Sequence, residues 1–327
     1  MNGHRVLVTG IGGQPGFDTA RRLLELGCAV VGVDADPHAN GLHLPGVEGR
    51  VGPTAGHGSY TPWLLRTCQE TQVRSLISTV ESELPQLITI EDDLKQAGVA
   101  TWLPSPGTAL TCADKARFHQ LVSAAGVPTP ASWLPEQIEQ VPEHTDLVVK
   151  PRRSQGSRDV IFCRGRRQAQ AACLVVTDPI VQSRARGVEF TADCLVDRTG
   201  RISVILRERL LTKGGLAFVT RTIVDVHADA VVRAALGAVR ATGLVCVQGF
   251  RAEHPAATPV LVTEINHRPA GAFLASEAAG ADLIGQMLHG LIGDPVDHSQ
   301  LTYRPGVTLT KFIDTLLVTG VDHAVPQ

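Results

Sequence analysis

The stretch "TEINHRPAG", residues 263–271, sets a carboxylate, an amide and a guanidinium at alternate positions: Glu264, Asn266 and Arg268. An apolar run, Pro259-Val260-Leu261-Val262, leads into it and reads as a buried strand. Side chains alternate faces along a strand, so the three polar groups share one face. A carboxylate and an amide oxygen two residues apart form a hard-oxygen pair. That pair suits Mg²⁺, which favours carboxylates together with substrate phosphates. Arg268 adds a planar fork that holds phosphate or carboxylate oxygens. The competing explanation is a polar ladder on an exposed edge. The apolar run argues against it, because burying an unpaired Glu is costly. His267 faces the other way on such a strand and is expected to contribute packing only.

Lys150 ends another apolar run, "DLVVKP" (146–151), and a loop follows with Arg152, Arg153, Ser154, Gln155, Gly156, Ser157 and Arg158. A lysine at a strand end beside a donor-rich loop suits nucleotide phosphates, since ammonium and backbone N–H groups both face the anion. The same residues equally describe a surface turn with solvated arginines. Lys115 sits on a helix opening "ADKARF"; a helical Lys beside an Asp is usually solvated. Near the N-terminus, Gly10-Ile11-Gly12-Gly13-Gln14-Pro15-Gly16 follows a strand, and Asp34 stands about where a ribose-binding acid would. An NAD(P)-dependent oxidoreductase is therefore an alternative. The spacing is not GxGxxG, however, and Pro15 is out of place where N–H groups must meet a pyrophosphate.

The elements that position these residues follow from periodicity. "RVLVT" (5–9) and "AVVGVD" (29–34) flank a helical stretch that stops at Gly27, a βαβ unit that implies a parallel sheet. A helix near 60–70, a strand at 75–80, a helix over 84–97 and a short strand at 99–102 continue the pattern. Pro104 and Pro106 break it near 105. Beyond lie a helix opening at 112, strands at 146–151 and 160–163, and a helix at 165–174. Strands at 180–182, 188–196 and 201–207 follow, then a β-rich stretch over 216–226 and a helix over 228–242. Strands at 244–251 and 259–266 and a last helix over 273–292 complete the reading. The order is α/β first and α+β second.

Composition bounds the rest. A chain of 327 residues is long for a single core, so two or three units are expected. The net charge is −2, which leaves no global field for nucleic acid or an anionic membrane. The seven cysteines are odd in number, form no CxxC and sit mostly in apolar runs, as reduced thiols of a cytoplasmic protein do. No apolar run reaches the length of a membrane span, and the first one is a strand before a Gly-rich turn rather than a signal peptide.

"EINHRP" resembles the Glu-x-Asn-Pro-Arg signature of the ATP-grasp superfamily, and the resemblance extends over nearly the whole chain. "RVLVTGIGGQPG…VVGVDADP" looks like the N-terminal domain of carbamoyl phosphate synthetase-like and pyrrolysine-biosynthesis ligase-like members. "STVESELPQL" resembles their segment at the sheet's C-terminal edge, and "DKARFHQLVSAAGVPTP" their Asp-Lys helix. "LVVKPRRSQGSRDV" is similar to the phosphate-binding lysine and flexible loop, and "IVQSRARGVEFTADCLVDRTGRI" to the adenine hinge strand. The fold implied is a Rossmann-like pre-ATP-grasp domain over 1–105, then an α+β ATP-grasp fold of two subdomains, 106–185 with the phosphate loop and 186–327 with the metal site.

By resemblance, Lys115, Lys150, Ser154 and Gly156 bind ATP phosphates. The backbone of Gln182, Ser183 and Arg184 holds adenine, and Glu189 lies near the ribose. Gln248, Glu264 and Asn266 hold Mg²⁺ (or Mn²⁺). Arg268, with Lys150, handles the transferred phosphate, and Arg207, Arg209 and Arg221 face the carboxylate substrate; ordinary cross-strand pairing is the other reading for these three. Several positions depart from the pattern: Asp159 for a loop Gly, Ser183 for a hinge Glu, Cys246 for an Asn and His267 for the signature Pro. The hairpin after Gln248 looks long, so Glu253 is the fallback ligand. The implied reaction is ATP-dependent joining of a carboxylate and an amine through an acyl-phosphate, by a cytoplasmic enzyme without nucleic-acid or membrane partners and compatible with a homodimer. A non-catalytic ATP-binding module is the remaining alternative.

Overall fold

The computed structural model describes residues 3–154, 156, 159–252 and 260–318. Its first sheet is parallel, with strands β1 (Arg5–Thr9), β2 (Ala29–Asp34), β3 (Val47–Val51) and β4 (Ser75–Ile77) in the order β3-β2-β1-β4. Helices α1 (Gln14–Glu25), α2 (Tyr60–Glu70), α3 (Leu84–Thr89) and α4 (Glu91–Gln96) accompany it. The middle of β1, Val6-Leu7-Val8, is apolar because both its faces are covered: Val6 and Val8 enter one cluster and Leu7 another. β3, "VEGRV", escaped the sequence reading because it is a half-polar edge strand. The single helix expected over 84–97 is two. The chain breaks at Ile90, and Glu91, Asp92 and Asp93 open α4, where acidic groups favour a helix N-terminus. The strand expected at 99–102 is one bridge, Ser75 to Ala100.

A second sheet is antiparallel. Helices α5 (Pro106–Ala113) and α6 (Lys115–Ala124) precede β5 (Ser132–Trp133), β6 (Asp146–Pro151), β7 (Ile161–Arg164), α7 (Arg166–Cys173) and β8 (Pro179–Ser183). The strand order is β5-β8-β6-β7. Ala169 and Ala172 of α7 pack on Leu147, Val149 and Val181. The helix expected to open at 112 instead starts at Lys115, because Asp114 caps it by accepting from the Ala116 and Arg117 N–H groups.

The third sheet holds β9 (Val188–Val196), β10 (Ile202–Lys213), β11 (Leu216–Thr222), β12 (Gly243–Arg251), β13 (Leu261–Asn266) and β14 (Thr308–Thr310), in the order β13-β12-β9-β10-β11-β14. Helix α8 (Val226–Val239) covers one face, where Val232 and Leu236 meet Phe190, Val245 and Val247. The expected last helix is broken near Gly280, whose φ of +113° suits glycine. It becomes α9 (Leu274–Ala278) and α10 (Leu283–Ile292). On the opposite face Leu195, Ile205 and Leu244 join a core made with α10 and the first sheet. Further along that face the side chains turn polar, and the candidate site begins. Among the described residues no helix is long and apolar enough to cross a membrane.

Candidate active site

β12 and β13 run antiparallel with Gln248 opposite Glu264 and Cys246 opposite Asn266. Directly opposed residues share a face, so Gln248, Glu264 and Asn266 present three amide or carboxylate groups together. The register problem raised by the long hairpin does not arise at Gln248; a bulge falls just beyond it, between Gln248 and Gly249. Glu253 lies outside the described residues, as do Gln155, Ser157 and Arg158 of the loop. Asn266 Nδ2 donates to Glu264 Oε1 at 3.3 Å. The Gln248 Oε1 accepts from Arg209 Nη1 at 3.1 Å, so it must turn to meet a metal. An all-oxygen set of this kind fits Mg²⁺ or Mn²⁺.

β6 delivers Lys150 to the same place. Burial pushes its ammonium down to about 8; Glu264 opposes that shift and Lys115 adds to it. Lys115 is likewise lowered by burial, with Glu264, Glu81 and Asp114 opposing. The two lysines and Glu264 thus form one electrostatic cluster drawn from α6, β6 and β13. Lys115 Nζ donates to the Ser154 carbonyl at 2.9 Å, and its backbone N–H reaches Arg152 O at 3.1 Å, which ties α6 to the segment after β6. Gly156 lies against the β10–β11 hairpin so closely that a Cβ on Gly215 would stand 2.9 Å from its backbone.

The arginines of the loop have a different task from the one their density suggested. Arg152 donates to Asp114 at 2.6 and 3.2 Å, and Arg153 to the same carboxylate at 3.4 Å. Burial alone would raise Asp114; the Arg152 bond and the helix N–H groups outweigh it and hold the carboxyl below its usual range. These arginines anchor the loop.

The substrate arginines separate. Arg207 is fully buried and bidentate to Asp193 at 2.7 and 3.0 Å, and Ser276 donates to the same carboxylate at 2.6 Å. Its guanidinium is therefore engaged inside the sheet, which corrects its expected contact with substrate. Arg221 pairs with Glu208 at 2.9 Å, and Arg251 holds the other oxygen of that carboxylate at 3.0 Å. Glu208 alternates with Arg207 and Arg209, so Arg221 lies on the opposite face, a second correction. Arg209 alone stays with the site. It reaches Glu189 at 2.7 Å, Gln248 at 3.1 Å and the Gly215 carbonyl at 2.7 Å. Burial raises Glu189, with Arg209 opposing and Glu264 adding.

At the hinge, Gln182 pairs in the sheet with Ser132 and Val148. The Ser183 and Arg184 N–H groups already donate to Ala131 O and Asp146 O, each at 2.8 Å. The backbone N–H groups of these two residues are therefore already engaged. The Arg184 guanidinium stacks over Phe162 at 4.8 Å. The N-terminal Gly loop gives no support to a dinucleotide. Asp34 Oδ2 accepts from Gly12 N–H at 2.8 Å and Oδ1 from Asp36 N–H at 3.0 Å, so the supposed ribose acid closes its own turn. Gly16 is needed for packing, since its Cβ would lie 2.3 Å from Gly10 O.

Glu81 has no role assigned from sequence, and His267 only a packing one. Glu81 follows β4 and is pushed up to about 7, mainly by burial; Arg268 opposes, Glu264 adds and Lys115 opposes. Its carboxylate accepts from the His267 backbone N–H. The available signal was its place just past a parallel strand's carboxyl end, where ligands of such sheets gather. His267 is 7% exposed, and neither ring nitrogen has a hydrogen-bond partner. Burial pushes it down to about 4 and keeps it neutral. Arg268, beside it, is half-buried and donates from Nη1 to Pro269 O at 3.0 Å.

Residues 112–272 match the ATP-grasp domain family, so this part of the chain is an ATP-grasp domain. Solved structures of the same fold span most of it. An L-amino acid ligase from Bacillus licheniformis superposes with a TM-score of 0.72 at 17% identity, covering 94% of this chain and 79% of that one. An N5-carboxyaminoimidazole ribonucleotide synthetase from Thermus thermophilus gives 0.70 at 18% identity, over 89% and 79%. The biotin carboxylase domain of a Hydrogenobacter thermophilus 2-oxoglutarate carboxylase, a dimer in complex with MgADP, ADP and bicarbonate, gives 0.72 at 13% identity, over 94% and 74%. These are likenesses of fold. No curated protein matches the chain in sequence.

Proposed function

We propose that the chain is an ADP-forming ligase that joins a carboxylate to an amine through an acyl-phosphate. The observation that carries this is the convergence of Lys115, Lys150 and Glu264 into one charge cluster, with Gln248 and Asn266 in register beside it, on an ATP-grasp fold. Lys115 and Lys150 would hold the phosphates of ATP, under a loop whose Ser154 and Gly156 backbone closes over them. Gln248, Glu264 and Asn266 would hold Mg²⁺, which supplies charge neutralisation across the phosphates when bound.

Arg268 would stabilise charge on the transferred group, and Arg209 would orient the carboxylate once Gln248 turns away. The carboxylate oxygen bonds to the γ-phosphorus and the bond to ADP breaks. The amine nitrogen then forms the C–N bond as the C–O bond to phosphate breaks. The electron pair of that C–O bond leaves with phosphate, which takes the one N–H proton that a neutral primary amine loses on becoming an amide; an amine that arrives as ammonium first gives its extra proton to water. No protein nucleophile is needed. An amino acid is the favoured acid, in line with the fold shared with an amino acid ligase. We read the units as 1–105, 106–185 and 186–327, and the setting as cytoplasmic and compatible with a homodimer.

The test is phosphate release with MgATP over amino acids singly and in pairs. An acid that releases phosphate, with an amide formed when an amine is added, is the expected result; no acid-dependent release across the panel would sink the reading. Thermal protection by MgATP and none by NAD(P) is expected alongside, because a ligand stabilises only the state that binds it.

A further inference from the structure

A cavity of ≈ 40 Å³ lies where the end of β4, the 102–104 linker, β13's end and α10 meet. It has room for about three water-sized groups. Leu84, Trp102 and Met287 are among its apolar walls, and Ser78, His267 and Arg268 are its polar ones. Ser78 Oγ is engaged by Glu83 at 2.5 Å. His267 is not engaged: its ring is buried, and both nitrogens lack a partner. Buried polar groups are rarely left this way unless a ligand or water completes them. The ring's backbone is fixed on both sides. Glu81 accepts its N–H, and the Arg268 N–H returns to Asn266 O at 2.9 Å.

Arg268 lines this cavity and acts on the same Glu81 carboxylate as Glu264 and Lys115, so an occupant of the cavity would lie beside the acyl-phosphate of the proposed reaction. The phosphate loop, Lys115 and Lys150 come from the second sheet and its helices, and the cavity lies on the side of the first sheet. The leaving phosphate would be held by the former, and a nucleophile that approaches a face of the planar acyl group from the first-sheet side meets none of those residues. An amine brings N–H donors to an imidazole nitrogen and a short apolar body to the walls. The neutral ring presents one N–H and one bare nitrogen; an amine can serve either, through its N–H groups or its lone pair, whereas a carboxylate can serve only the N–H.

We propose that this cavity seats the amine substrate, a small primary amine whose nitrogen donates to the His267 ring next to Arg268. The assignment rests on the ligase reading. It makes His267 a specificity residue and restricts the amine to a few heavy atoms around its nitrogen.

The first test does not require turnover. The full chain, labelled with ¹⁵N in histidine and tryptophan, is titrated with ethylamine. Saturable shifts of the His267 ring and the Trp102 indole are expected, and in His267→Phe the Trp102 shift should vanish. Ethylamine that moves neither signal overturns the proposal. The second test uses the acid found by phosphate release, with acyl-phosphate trapped by borohydride. In His267→Phe the KM for ethylamine should rise about tenfold more than the KM for ATP, and His267→Asn, which keeps an acceptor, should recover part of it. His267→Asn also serves if the Phe variant does not fold. Equal changes in the two KM values overturn the proposal and leave the ligase reading standing. A wild type that traps no acyl-phosphate with any acid removes the ligase reading, and the amine assignment with it.

Discussion

Glu264 faces two lysines and two amide side chains, so its loss removes the anion around which the cluster is arranged. Glu264→Ala should lower turnover by about 10³-fold or more with the far-UV spectrum unchanged; ATP consumption at the wild-type rate in the presence of substrate would refute the assignment. Lys150 gives a pH signature. Its ammonium titrates near 8 in the free protein, and bound phosphates raise that value. MgATP affinity should be flat below about pH 8 and fall above it, by up to about tenfold per pH unit, as the free protein loses the proton that the complex keeps. Calorimetric titration from pH 7 to 10 checks this, and Lys150→Ala should bind more weakly and lose the slope.

The shared face of Glu264 and Asn266 was legible because a period of two needs no partner to be read. Arg207 and Arg221 were not, since their roles depend on which acid lies opposite: Asp193 on β9 for one, Glu208 on the other face for the other. Glu81 and His267 acquire meaning only where distant segments meet.

Asp114 shows how one residue sets an element. It ends α5, caps α6 and holds Arg152 and Arg153, so the helix that offers Lys115 and the segment after β6 share an anchor. Asp114→Ala should destabilise the fold by about 1–2 kcal/mol, read in denaturant melts. It should also speed proteolysis within 152–158 and weaken protection by MgATP. Because the folded-state carboxyl is held low, its stabilisation is present above the unfolded pKa near 3.8 and is lost as pH falls through the lower folded value. The long central strands and their order were readable from apolar runs; the short or half-polar edge strands β3, β5 and β14 were not. The helix breaks at Ile90, Asp114 and Gly280 were not, because continuous helical periodicity hides a cap or a left-handed residue inside it.

Across the whole molecule, the first sheet and the third share one core. Val6, Val8 and Leu23 pack in the same cluster as Leu195, Phe273, Ile284 and Leu288. Arg22 on α1 reaches Glu277 at 2.9 Å and Asp282 at 3.4 Å, and Lys311 reaches Asp18 at 3.5 Å. Trp102 seats against Gly290, where a Cβ would stand 2.1 Å from the indole ring. Gly290→Ala should therefore cost about 1–3 kcal/mol, measured as a lower melting temperature, whereas Gly293→Ala tests only its positive φ, since nothing lies near its Cβ. A shared core also changes what counts as an exchangeable part. A chimera cut at residue 105 would join a relative's first sheet to α9 and α10 shaped for another surface. The segment that must travel with residues 1–105 lies some 170 residues further on, from Phe273 through Leu301. Heredity by recombination, natural or engineered, would have to carry two separate pieces of the chain to move one half of the molecule.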